Sequence, residues 1–268
     1  MPLTPMKPRY VADLFAPLHR ELIALLRGLT PEQWELPTVA GAWRVRDVAA
    51  HLLDGMLRKL SRTSADRPLN SYEEIVAFLN DLNATGVAYW RRTSPAVLTD
   101  LLERAGETVA MEVEQLDPHA TARISVAWAG EDRSENWMDT GREYTEWWHH
   151  QTQIRDAVGA PPLFVARWLA PLLDFSVRAL PHAYASTEAD EGTAVSVAID
   201  GEAWTVVREG ERWALYEGAP ETPSAKVRLD ADTAWRIFYN APRGRSAVVV
   251  EGDVLLAEPL LRTRSVMV

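Results

Sequence analysis

The sequence predicts an α+β protein: an N-terminal helical bundle followed by a smaller α+β domain with an antiparallel sheet. Three observations predict it. Apolar residues recur every three or four positions through most of the first 160 residues, the spacing that lines one face of a helix. From about residue 195 the pattern changes to alternation, which suits strands with one buried face. At 268 residues the chain also exceeds what one hydrophobic core usually organises, so two domains are expected. The expected division is 1–160 for the bundle and 161–268 for the second domain, with a helical link over about 161–190.

The first helix is expected from Tyr10 to Leu29, where Val11, Leu14, Phe15, Leu18, Leu22, Leu25, Leu26 and Leu29 share a face. Thr30-Pro31-Glu32-Gln33 has the form of a capping box, with proline in the first helical position where its missing N–H is harmless. Residues 45–62, 72–92 and 95–116 repeat the helical spacing, separated by breaks at Asp66-Arg67-Pro68 and Thr93-Ser94-Pro95. Between Asp117 and Asp139 the periodicity fades into a long loop of the kind that borders sites. A further helix runs from about Thr140 to Val158 and stops at Gly159-Ala160-Pro161-Pro162; another covers Leu163 to Leu180. Strands are expected around Val195 to Ile199, Trp204 to Val206, Trp213 to Leu215, Val227 to Leu229 and Val248 to Val250. Asp200-Gly201 and Glu209-Gly210 are hairpin signals between them, and Asp232 to Tyr239 is the clearest helix of this part.

Composition excludes several classes of function. With 28 Lys and Arg against 38 Asp and Glu the net charge is −10, which opposes attraction to nucleic acid and to anionic membranes. The expected partner is therefore a small-molecule substrate, with no nucleic acid and no membrane. There is no cysteine, so the chain has no thiol nucleophile and no thiolate ligand of its own. Neither a signal-like apolar run at MPLTPMKPRY nor a stretch near 18 apolar residues is present, and a cytoplasmic protein is expected.

One constellation could carry chemistry. Glu146 and His150 are four apart in Thr145-Glu146-Trp147-Trp148-His149-His150, so they lie on one helix face about a turn apart. Carboxylate and neutral imidazole are both good zinc ligands, and a third from another helix would leave an open position for water or substrate. His51, beside Val48 and Leu52 on the edge of an apolar face, is the candidate third ligand. The same residues also read as a core histidine bonded to a carbonyl and a surface ion pair. Glu143, one turn before Glu146, is placed to orient a ligand or carry a proton, and Arg142 to form an ion pair; a solvated helix face explains both. Trp147 and Trp148 read as packing residues.

Trp43-Arg44-Val45-Arg46-Asp47-Val48-Ala49-Ala50-His51-Leu52, followed by Glu146-x-x-x-His150-x-x-Gln153-Ile154-Arg155, resembles the mycothiol-dependent maleylpyruvate isomerase family of the DinB-like superfamily. The resemblance implies a DinB-like four-helix bundle in which His51, Glu146 and His150 bind a divalent metal, usually zinc. His149 competes for the second histidine's role, and the register of Gln153-Ile154 favours His150. Members more often carry aspartate where this chain has Gln153. The segments Asp232 to Phe238 and Val250 to Ala257 look like the family's second domain, which is related to the sterol-carrier fold. An arginine of that domain assists substrate binding in the isomerase, and Arg243 and Arg245 are the nearest candidates here; a guanidinium suits a carboxylate substrate. The resemblance thus implies an enzyme that uses a low-molecular-weight thiol, mycothiol, for isomerisation or thiol transfer. The other readings are a non-enzymatic protein that holds a small molecule or lipid in its second domain, with a vestigial or structural metal site, and an interaction or regulatory protein.

Overall fold

The computed structural model describes residues 2–63, 72–241 and 248–266. The chain forms two compact units, each drawn from separate stretches: Tyr10–Ala120 with Thr140–Trp168, and Met1–Arg9 with Thr121–Asp139 and Leu169–Val268.

After the strand β1 (Thr4–Pro5), the first unit is built from α1 (Phe15–Arg27), α2 (Pro31–Trp34), α3 (Val45–Leu60), α4 (Tyr72–Trp90), α5 (Pro95–Glu114) and most of α6 (Asn136–Val158). Four of these helices close a circuit. α1 packs on α5 and α5 on α3; α3 meets α6 through Lys59 and Glu143 at 3.6 Å, and α6 returns to α1, where Trp147 stands edge-on to Phe15 at 5.0 Å. Leu22, Val48, Leu52, Leu102, Val109 and Ile154 fill the interior. Helix α4 lies against α3, where Trp90 Nε1 donates to Asp54 at 3.2 Å.

The local signals mostly hold. Thr30 and Gln33 form the expected reciprocal cap. Helix α1 begins later than its apolar spacing suggests, because Ala12–Leu14 forms a 3₁₀ turn first. Pro17 then falls in the first helical turn, where no N–H is needed. Helix α6 begins a turn earlier than expected, at Asn136, and buries Met138. The helix expected over 163–180 is two helices, α7 (Ala166–Val177) and α8 (Leu180–Ala183), the second opened by Pro181 in its first turn.

The second unit holds β2 (Ala194–Ile199), β3 (Glu202–Glu209), β4 (Arg212–Glu217), β5 (Ala225–Leu229), α9 (Ala231–Phe238), β6 (Val249–Gly252) and α10 (Val254–Arg262). Its sheet has the order β1-β4-β3-β2-β5-β6. Asp200 and Gly201 turn β2 into β3 with φ of 46° and 95°, the left-handed pair that a two-residue hairpin requires. The sheet is mixed rather than wholly antiparallel: β2 and β5 run parallel, with Val197 opposite Val227. After the β2–β3–β4 meander, residues 218–224 carry the chain back past β3 to the free side of β2, where it sets off in the direction of β2. Asp230 caps α9 by accepting the Thr233 N–H at 2.7 Å, and Trp235 and Phe238 are buried. No helix among the described residues is long and apolar enough to cross a membrane.

Candidate metal centre

Helix α3 is fixed at its start by Asp47. One carboxylate oxygen accepts the Arg44 N–H at 3.1 Å and the other accepts Arg91 Nε at 2.9 Å. One turn later His51 points inward between buried Val48 and Leu52, with the ring of Trp43 5.0 Å from its own. Across the bundle, α6 presents Glu146 and His150 from successive turns, as the four-residue spacing requires.

These three side chains converge. His51 Nε2 lies 3.1 Å from Glu146 Oε1, and His150 Nε2 lies 3.0 Å from the same oxygen. The two imidazole rings meet edge-on at 4.5 Å. One ligand atom from each residue falls within 4.8 Å of the others. The histidine side chains are nearly closed to solvent, at 6% and 10% exposure, whereas Glu146 keeps 30% and forms the open side. His149 does not join them: its Nε2 takes the side-chain N–H of Gln153 at 2.9 Å, while Gln153 Oε1 meets His150 Nδ1 at 2.8 Å.

Burial raises the Glu146 carboxyl, but the two imidazoles outweigh it and hold the group well below the usual carboxylate range. Burial and the neighbouring His150 push His51 down. Burial also pushes His150 down, yet Glu146 and Gln153 together hold it above its ordinary value. His150 faces an acceptor at each nitrogen, Glu146 at Nε2 and the Gln153 oxygen at Nδ1. Without a cation it satisfies both only as a charged imidazolium. A divalent ion among the three meets the same demand: it takes the Nε2 lone pairs and leaves the His150 Nδ1–H on Gln153. His51 Nδ1 is buried with no hydrogen-bond partner among the described residues, so its Nε2 is the nitrogen placed for use. Two imidazole nitrogens and one carboxylate oxygen fit zinc or a similar borderline divalent ion.

The remaining predicted residues separate from this group. Glu143 is engaged elsewhere, accepting from Trp147 Nε1 at 3.0 Å and pairing with Arg142 at 3.0 Å on its own helix and with Lys59 of α3 at 3.6 Å. Trp147 and Trp148 are buried packing residues. Arg243 and Arg245 lie outside the described residues. Sequence reasoning missed the contacts of Gln153 and the Trp43 ring above His51. The three-residue spacing from His150 to Gln153 was the available signal for the first; none pointed to the second.

A solved structure of the mycothiol-dependent maleylpyruvate isomerase is 16% identical, with a TM-score of 0.51 over 91% of this chain and 92% of that one. A mutant form of that enzyme gives 0.49 at the same identity and coverage. At such identity the 0.51 likeness speaks to the fold, and it supports the α+β class. No curated protein matches the chain. The family model for the mycothiol maleylpyruvate isomerase N-terminal domain matches residues 15–155, a span that contains all three converging side chains. It takes in more than half of the chain, which therefore belongs to the mycothiol maleylpyruvate isomerase family.

Proposed function

We propose that the protein is a divalent-metal enzyme, with zinc at His51, Glu146 and His150, that uses a low-molecular-weight thiol of the mycothiol type. Its substrate is a small carboxylate-bearing molecule, which it isomerises or conjugates. The observation that carries this reading is the approach of two imidazole Nε2 atoms to one carboxylate oxygen, at 3.1 and 3.0 Å, in a chain that has no cysteine. A divalent ion at such a donor set lowers the pKa of a coordinated thiol, so that thiolate is available near neutral pH. His51 and His150 contribute neutral lone pairs, and Glu146 contributes one negative charge on the solvent-open side. Holding a divalent ion, these three residues would cancel only one of its two charges and so would leave a net positive charge toward an incoming anion. Arg243 and Arg245 are proposed to hold the substrate carboxylate through paired hydrogen bonds. In the isomerising reaction the thiolate sulfur forms a bond to one carbon of an activated cis double bond. The displaced π pair moves onto the activating carbonyl as an enolate, rotation follows about the carbon–carbon single bond so formed, and return of that pair breaks the carbon–sulfur bond, giving back the thiolate and the trans product. A cytoplasmic location suits a reduced thiol cosubstrate.

The test is the loss of maleylpyruvate absorbance with purified, zinc-loaded protein and mycothiol. Turnover above the no-enzyme control that disappears in His150→Ala supports the reading; no turnover eliminates maleylpyruvate as substrate and sends the search to other thiol acceptors.

The non-enzymatic reading has one observation behind it, a cleft of about 490 Å³ in the sheet-containing unit, lined by Trp128, His182, Leu255, Glu258 and Arg262 among others. Its charged lining suits a polar small molecule better than a lipid, which needs continuous apolar walls. Native mass spectrometry of the purified protein, showing a copurified ligand, would favour it.

A further inference from the structure

Gln153 is buried between two histidines of its own helix. Its amide oxygen lies 2.8 Å from His150 Nδ1 and its amide nitrogen 2.9 Å from His149 Nε2. The two ends of an amide are not equivalent, since the oxygen only accepts and the nitrogen only donates. With the oxygen on His150, a neutral ring must carry its proton on Nδ1, and its Nε2 then keeps a lone pair. Turned the other way, the amide nitrogen would need a lone pair at Nδ1, and a neutral His150 would then carry its proton on Nε2 and have nothing to give a cation.

We propose that Gln153 is a positioning residue: with its amide oxygen on Nδ1 and its amide nitrogen on His149, it fixes His150 as the Nδ1–H tautomer and aims the Nε2 lone pair at the point shared with Glu146 and His51. This rests on the metal reading above and adds to it a role for the two residues that do not ligate. It also distinguishes the two histidine ligands. His150 is held by a side-chain hydrogen bond at its far nitrogen, whereas His51 Nδ1 has no such partner among the described residues and is held by packing against Trp43. Partners of this kind typically change metal affinity by about 10–100-fold when removed.

The experiment combines two readouts on the full chain. Long-range ¹H–¹⁵N spectra of the metal-free protein, recorded above the imidazole titration range, report which nitrogen of His150 carries the proton. Competition with a chromophoric chelator reports zinc affinity for wild type, Gln153→Met and Gln153→Glu. The expected result is Nδ1–H in wild type, a loss of affinity of about 10-fold or more in Gln153→Met, and retention in Gln153→Glu, which keeps the acceptor. A His150 that carries its proton on Nε2 in wild type, or a Gln153→Met protein that binds zinc as tightly as wild type, overturns the proposal. If the methionine variant does not fold, the wild-type tautomer and the Gln153→Glu affinity decide. A wild type that takes up no zinc defeats the metal reading, and the tautomer of the metal-free protein still decides what Gln153 does.

Discussion

His19 on α1 and His51 on α3 are buried to similar depth, at 2% and 5% exposure, in two regions of the same helical unit. Their surroundings differ in one respect. His19 Nε2 donates to a main-chain carbonyl, that of Glu103, at 3.1 Å, and its ring lies over Gly106, where a Cβ would come within 2.2 Å of Cε1. The same nitrogen of His51 meets the side chain of Glu146, which His150 also approaches. Burial and a place on an apolar helix face therefore do not separate a core histidine from a candidate ligand. What separates them is whether a second helix brings further lone-pair donors to the same point.

The largest effect should fall on metal content. Elemental analysis of protein purified without a His tag should show about one zinc or nickel per chain, lost in His51→Ala and in His150→Ala and retained in His19→Ala. Equal loss in all three would break the comparison, because burial alone would then explain the result. The same contrast should appear in stability. Zinc at a hundred times its dissociation constant should stabilise wild type by about 2.7 kcal/mol, read as a rise in thermal midpoint, and should leave His51→Ala unmoved.

A smaller effect sharpens the other side. In an exposed helix, glycine to alanine gains about 1 kcal/mol. At Gly106 the new methyl would strike the His19 ring, and overpacking of this kind costs about 1–3 kcal/mol. Gly106→Ala should therefore lower the urea midpoint without changing zinc uptake, and much of the loss should return in the double variant with His19→Ala. An alanine that stabilises would mean that the ring moves aside at little cost.

The bundle was legible because helical spacing is a local property, and the Glu146–His150 pair because four residues make one turn. His51 is reached from its place at the edge of an apolar helix face and is then supported by the family resemblance; His19 sits at such a face too, and no local pattern says which of the two faces Glu146. Two further features were not legible for physical reasons. Strand β1 is two residues long, too short for any alternation to show. The parallel pairing of β2 with β5 depends on where residues 218–224 lead the chain, which strand periodicity does not record. Gln153, which bridges His150 and His149 beside the candidate site, was visible only as a register mark. An amide three residues from a histidine is common on helix surfaces, and its meaning comes from being buried against His149.

The smallest effect separates the two regions by sign. Burial outweighs the Glu103 carbonyl and the nearby carboxylates and lowers the pKa of His19, so the unfolded chain takes up its proton first. The stability that His19 contributes as a neutral ring is therefore fully present above about pH 6.5 and is lost as the pH falls through the window below that value. At the centre His51 is lowered in the same way, but His150 is raised. The contribution of His150 in metal-free protein is present below about pH 6.5 and lost as the pH rises through its folded value, so the two oppose each other. Replacing His19 with glutamine, which can still donate to the Glu103 carbonyl, should flatten the acid-side fall by up to about 1.4 kcal/mol per pH unit, the most that one proton allows. Urea unfolding of the metal-free proteins across pH checks this. A wild-type minus His19→Gln difference that stays constant below pH ~6.5 would show that His19 is not held as a buried neutral ring, and would remove the electrostatic contrast with His150.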